Sequence, residues 1–427
     1  MWVSGGVARE ADIGRPCGLL GRVTQAIERE KQHSWLFTLI IAMLGMFGPF
    51  TIDSVFPAFA HIGKQFGSSE VALQQITSSY LIAFAVASLF HGPISDAVGR
   101  KKVMFVGVSV YALASVGCAL SPSLGWLIAF RVLQGLSAGA GQIISRALIR
   151  DLYDGAQAQR LMSQVAMIFS VAPAIAPIIG GWILGVSSWP WIFWFLVVYA
   201  CIMLALVTFG LPETHPVENR TPLRLGAMFR SLREVARHGI FIRLAFAMTA
   251  TFAAQFLYIA SAPIFVVKLL GKGDQDFWIF FVPMITGMLL GSTLSARLAA
   301  VVQPVKLATV GFSMTIVAAL INVGVSALPG APTLPWAVLG PSMVAFGVAL
   351  AFPIVQLAML DLFPKQRGAA ASMQSFVQLV VNALLAGVVA PLVTGSVLEL
   401  ALASAAFSLV GISLWTWHLK AASHIHG

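Results

Sequence analysis

Charge is what this chain has least of. Asp, Glu, Lys and Arg make up only 10% of its 427 residues, 58% are hydrophobic, and mean hydropathy is +0.88. A soluble globular domain carries about 25% charged residues, and no single water-facing core absorbs this much apolar surface. Cysteine is almost as scarce. Cys17, Cys118 and Cys201 are scattered, with neither metal-ligand spacing nor a disulfide framework, and read as inert packing. There is no glycine-rich phosphate loop, no Ser/His/Asp arrangement and no zinc spacing. Nothing here supports ATP drive or catalysis, so no enzyme, no cofactor and no metal site are expected. The first 34 residues lack the basic-then-apolar pattern of a secretory signal. They read as a polar tail, in which 18–31 is the one stretch compatible with a short amphipathic helix on a membrane surface.

What the chain does have is apolar runs of membrane-spanning length. Twelve occur, at about 35–59, 71–90, 103–120, 125–147, 161–185, 191–211, 242–267, 277–298, 307–327, 336–358, 369–393 and 399–419. Connections are short except at 212–241, which is polar and basic. The implied layout is a tail (1–34), a six-helix bundle (35–211), a linker (212–241), a second six-helix bundle (242–420) and a short tail (421–427). Of the 26 Lys and Arg, 22 fall in loops on the side shared by both termini. Only Lys64, Lys268 and Lys272 lie on the other side, and Arg131 lies inside a run. By the positive-inside rule both termini are cytoplasmic. The net charge of +10 is then topological, and no nucleic-acid partner is implied. The halves also echo one another. Arg150-Asp151-Leu152-Tyr153 is matched by Asp361-Leu362-Phe363-Pro364, and Phe56-Pro57-Ala58-Phe59 by Ala262-Pro263-Ile264-Phe265. A repeated six-helix half is how many secondary transporters are built.

Two charges stand inside hydrocarbon, Asp53 in the first run and Arg131 in the fourth. Such residues are costly and usually face a water-filled cavity. At the helical rise Asp53 lies ~9 Å, and Arg131 ~10 Å, inside the outer ends of their helices. They sit at one depth, which supports a pairing; a static brace and a working proton relay both fit. Other polar or aromatic side chains inside runs are candidate cavity lining: Phe50, Tyr80, Gln134, Gln142, Gln164, Met167, Gln255, Tyr258, Gln356, Gln378 and Asn382. Each alone also fits a helix–helix contact.

Three motifs carry more. After the second run stands Gly92-Pro93-Ile94-Ser95-Asp96-Ala97-Val98-Gly99-Arg100-Lys101-Lys102. Its glycines permit a tight turn, and Asp96 can accept backbone hydrogen bonds or pair with an Arg across the two halves. The spacing resembles the loop signature of the major facilitator superfamily, with Ile94 in place of Leu. Arg131-Val132-Leu133-Gln134-Gly135 in the fourth run is similar to that family's R-x-x-Q-G pattern. Ala172-Pro173-Ala174-Ile175-Ala176-Pro177-Ile178-Ile179-Gly180-Gly181 in the fifth looks like the antiporter signature of drug:proton exchangers. This form of it, with Asp53-Ser54-Val55-Phe56-Pro57-Ala58 and Tyr258-Ile259-Ala260-Ser261-Ala262-Pro263, resembles the bicyclomycin/chloramphenicol (Bcr/CflA) branch.

The resemblance implies an all-α integral membrane protein with the major facilitator fold, twelve transmembrane helices in two six-helix halves. It implies proton-coupled multidrug efflux by antiport across a bacterial inner membrane. Proton coupling then falls to Asp53 and Arg131. Conformational gating falls to Gly92, Asp96, Gly99, Arg100, Lys101, Pro173, Pro177, Gly180 and Gly181. Protons, a small-molecule substrate and the bilayer are the expected partners, the proton gradient is the only drive, and a monomer is expected. The alternatives are proton-coupled uptake of a small polar nutrient and a non-transporting membrane scaffold.

Overall fold

In a bilayer core no water satisfies backbone N–H and C=O groups, so an apolar run must close its hydrogen bonds within itself as a helix. The computed structural model describes residues 37–426, apart from 154, 216, 221–222, 300, 331–332 and 365. Every described apolar run is helical. Ten helices are long and apolar enough to cross a membrane. Phe37–Gly45 and Phe50–Phe66 form one further span, bent by 46° across 46–49, where Met46 forms a turn and a new helix starts at Phe47. The helix Gly155–Val186 covers the fifth run. Bulky apolar side chains such as Leu113, Trp182, Leu290 and Leu392 remain exposed on the outside, where lipid rather than water suits them. The 18–31 stretch lies outside the described residues.

Local chemistry sets the helix ends. Ser69 and Ser123 cap the second and fourth spans by accepting the Ala72 and Trp126 N–H groups. The linker folds further than its polarity implies, since Leu225–Arg237 is a helix. The second span is also longer than its apolar run. It continues through Gly92 and Pro93 to Val98, so the turn into the third span is reduced to Gly99 at φ +110°. The two Pro-containing echoes behave alike. Phe56–Ala58 is a 3-10 turn and Ala262–Ile264 a single helical turn, and they pack against each other across the two halves.

Among the described residues, the side-chain bonds that join the halves gather at one end. Nearly all the Lys and Arg lie at the opposite end, here called the basic end; the other is the sparse end. At the sparse end Lys268 pairs with Glu70, and the His61 ring sits 2.8 Å from Asp274. Gln75 donates to the Gly387 carbonyl at 3.1 Å and Ser78 to the Ala383 carbonyl at 2.9 Å. At the basic end the second span from Phe90 to Ile94 and the eleventh from Ala371 to Met373 are half-buried. Among the described residues, no ion pair joins the two spans there.

Candidate functional site: a buried guanidinium between four helices

Arg131 comes from the fourth span and is fully buried. Arginine keeps its charge in proteins, so its surroundings must satisfy it. Its Nε donates to the Ile76 carbonyl of the second span at 3.0 Å. Its Nη1 donates to the Thr51 carbonyl of the first span at 2.9 Å and to Gln134 Oε1 at 3.0 Å. The guanidinium carbon lies 4.6 Å from the centre of the Tyr80 ring, within cation–π range. Gln134 in turn donates to Ser115 Oγ of the third span at 2.7 Å, and Thr51 Oγ1 meets the Tyr111 hydroxyl at 2.6 Å. One cation thus ties the first four spans together. Small residues permit the approach: a Cβ on Gly135 would strike the Tyr80 carbonyl and one on Gly139 the Phe84 ring.

Asp53 stands two residues beyond Thr51 and is 4% exposed. The pairing expected from its depth is not made. Among the described residues no ion pair and no hydrogen bond reaches Asp53, and Arg131 Nη2 has no hydrogen-bond partner. Backbone carbonyls, with the Tyr80 face, replace the carboxylate as the guanidinium's neighbours.

The fifth span packs directly behind Asp53. A Cβ on Gly180 would collide with the Ser54 carbonyl, one residue away. Gly181 and Gly185 instead face the Asp274 carbonyl and Gln275 of the other half. The helix that carries Pro173 and Pro177 therefore touches both Ser54, the residue after the buried acid, and the sparse-end closure.

The basic end carries a second network, wholly around the first half. Arg100 pairs with Asp96 one turn earlier and with Asp151 at 3.1 Å, and its Nη1 donates to Ser95 Oγ at 2.6 Å. Its backbone N–H donates to Glu213 Oε1 at 3.0 Å, and Lys101 donates to the Thr208 carbonyl at 2.7 Å. Asp96 therefore finds its Arg four residues away rather than across the halves. Gly92 has open space around it, whereas Gly99 is flanked by Glu213 and Arg220.

Several of the other candidates do not face an open cavity in this conformation. Phe50 stacks on Tyr199 at 5.5 Å, and Tyr80 and Gln134 are absorbed by Arg131. The Tyr258 hydroxyl accepts from Asn322 Nδ2 at 2.6 Å. Gln255 and Asn382 are buried, each with an unpartnered amide oxygen. Gln356 and Gln378 are half-buried. The side chains of Gln142, Gln164 and Met167 lie outside the described residues. Sequence reasoning missed Thr51, Tyr111, Ser115, Glu213 and Asn322, whose only signal is polarity in or beside an apolar run.

The family model described as Major Facilitator Superfamily matches residues 35–391. The chain belongs to the major facilitator superfamily. Among curated relatives of this facilitator, the bicyclomycin resistance protein homolog of Haemophilus influenzae is 32% identical over 268 residues, covering 63% of the chain and 67% of the relative. Multidrug resistance protein D of Escherichia coli is 27% identical, covering 85% and 90%. Among solved structures, a D-xylose–proton symporter superposes with a TM-score of 0.69 at 15% identity, covering 91% of this chain and 98% of that one, a likeness of fold alone. The protein is thus a multi-pass membrane transporter, not an enzyme.

Proposed function

We propose that this facilitator exports small, largely apolar drugs or toxic compounds across the bacterial inner membrane by proton-coupled antiport, with the basic end and both termini in the cytoplasm. The names of the two relatives support the substrate class, and the distribution of Lys and Arg supports the orientation. The observation that carries the coupling is the separation of the two buried charges. Arg131 Nε and Nη1 bond to carbonyls and to Gln134, and the guanidinium lies over the Tyr80 ring, while among the described residues no ion pair or hydrogen bond reaches the buried Asp53.

Burying an ionised carboxylate without a partner is costly. In this conformer, closed at the sparse end, Asp53 therefore holds its proton. Loss of that proton towards the cytoplasm creates a charge that draws on Nη2 of Arg131, which has no hydrogen-bond partner among the described residues. The first span shifts, and Gly180, lying against Ser54, passes the shift to the sparse-end closure. Substrate leaves outward once the halves part, and a proton from outside restores the present state. Asp53→Asn keeps the shape and removes the titration. In everted vesicles with an imposed pH gradient, that variant is expected to lose drug uptake and keep drug binding. Uptake equal to the wild type would remove the mechanism.

A further inference from the structure

Closing the sparse end leaves polar atoms stranded along the seam between the halves. Gln74 Nε2 of the second span donates to the Ala260 carbonyl of the seventh at 3.3 Å, and Ser78 Oγ to the Ala383 carbonyl of the eleventh at 2.9 Å. These two bonds tie Gln74 to the carbonyl just before Ser261, and Ser78, which follows Thr77, to the carbonyl just after Asn382. None of the four is more than 5% exposed. Yet Gln74 Oε1, Thr77 Oγ1, Ser261 Oγ and Asn382 Oδ1 each lack a hydrogen-bond partner among the described residues. Gln255, about one and a half turns further down the seventh span, has an unpartnered Oε1 as well, while its Nε2 is occupied by Met288 Sδ at 2.9 Å.

Each such atom costs about 1–3 kcal/mol, and lipid offers no compensation. Apolar residues of the same shape would avoid that cost, so a role in another conformation is the economical explanation. The atoms are not clustered at one level. Counting from the helix ends at Glu70 and Val393, Gln74 lies about 6 Å deep, Thr77 about 10 Å and Asn382 roughly 16 Å, and Gln255 lies about 9 Å further in than Ser261 along the seventh span. They form a file from mid-depth to the outer surface. Segments 71–83, 249–262 and 376–387 contain no charged residue. The amide oxygens can only accept, and the hydroxyls can do either. The seam is therefore an uncharged, acceptor-rich path.

We propose that, among compounds leaving outward between the halves, the stranded acceptors of this seam select those carrying a hydroxyl or amine donor. The proposal rests on the export reading above. While the sparse end is shut the acceptors are unsatisfied. When the halves part, a donor on the departing compound meets them in turn and lowers the barrier to release.

The test uses two lipophilic monocations in the same everted vesicles: ethidium, which carries two aromatic amines, and tetraphenylphosphonium, which carries no donor. The variants are Thr77→Val with Ser261→Ala, which remove two hydroxyls at nearly constant shape, and separately Asn382→Leu. The ratio of ethidium to tetraphenylphosphonium uptake is independent of how much variant folds. It is expected to fall about fivefold for each hydrogen bond lost. An unchanged ratio, whether both rates fall together or neither does, overturns the proposal. A wild type that takes up neither probe sinks the export reading instead. The same ratio, measured as binding to purified wild type and variants, then decides the seam.

Discussion

Arg131 is the residue on which the first half converges. Its three hydrogen bonds reach the first span, the second span and Gln134, and lysine, with a point charge and no fork, cannot reproduce them. Arg131→Lys is expected to destabilise the purified protein by about 3 kcal/mol, read as a lowered unfolding midpoint in detergent, and to abolish export. A variant as stable as the wild type would mean that the guanidinium is not the tie it looks to be. At this scale the sequence was only half legible. A charge inside an apolar run announces itself, so Asp53 and Arg131 were visible at once. Their partners were not, because a backbone carbonyl such as that of Thr51 or Ile76 has no sequence signature. Depth alone set the two charges level and favoured an ion pair. The fold instead spends the guanidinium on carbonyls and on the Tyr80 ring, and no ion pair with the acid forms.

Among the elements, the fifth span decides how the buried acid and the closure communicate. Its glycines are required by backbone contact, with the Ser54 carbonyl at Gly180 and the Asp274 carbonyl at Gly181. Neither neighbour is a flexible side-chain end that can yield. Gly180→Leu must therefore push the first and fifth spans apart. Export is expected to fall at least tenfold, equivalent to about 1.4 kcal/mol on the barrier, with normal insertion in the membrane; uptake within twofold of the wild type would contradict this contact. Apolar length and capping serines made the helices readable in sequence. Less readable was where each one ends. Gly92 and Pro93 look like a turn, but Pro93 lies inside the continuous helix Glu70–Val98, and the turn is confined to Gly99.

For the whole molecule, the conformation is set by which end is latched. Lys268–Glu70 and His61–Asp274 cross between the halves at the sparse end. Exposed pairs of this kind contribute little singly, yet a two-state equilibrium shifts severalfold for about 1 kcal/mol. Lys268→Glu is expected to expose the seam, seen as severalfold faster alkylation of a cysteine placed at Gln75. Adding Glu70→Lys, which restores opposite charges, is expected to slow it again; no recovery would mean the pair does not latch. The sequence disclosed the two-half plan through its echoes and its basic loops. It did not disclose which end is closed, because that depends on contacts between residues hundreds of positions apart. The central claim is that Asp53 exchanges its proton against substrate. Adding ethidium to the purified protein in weakly buffered solution with a pH-sensitive dye tests this most directly. The account predicts proton release from the wild type and none from Asp53→Asn at equal ethidium occupancy, and equal release from both would contradict it.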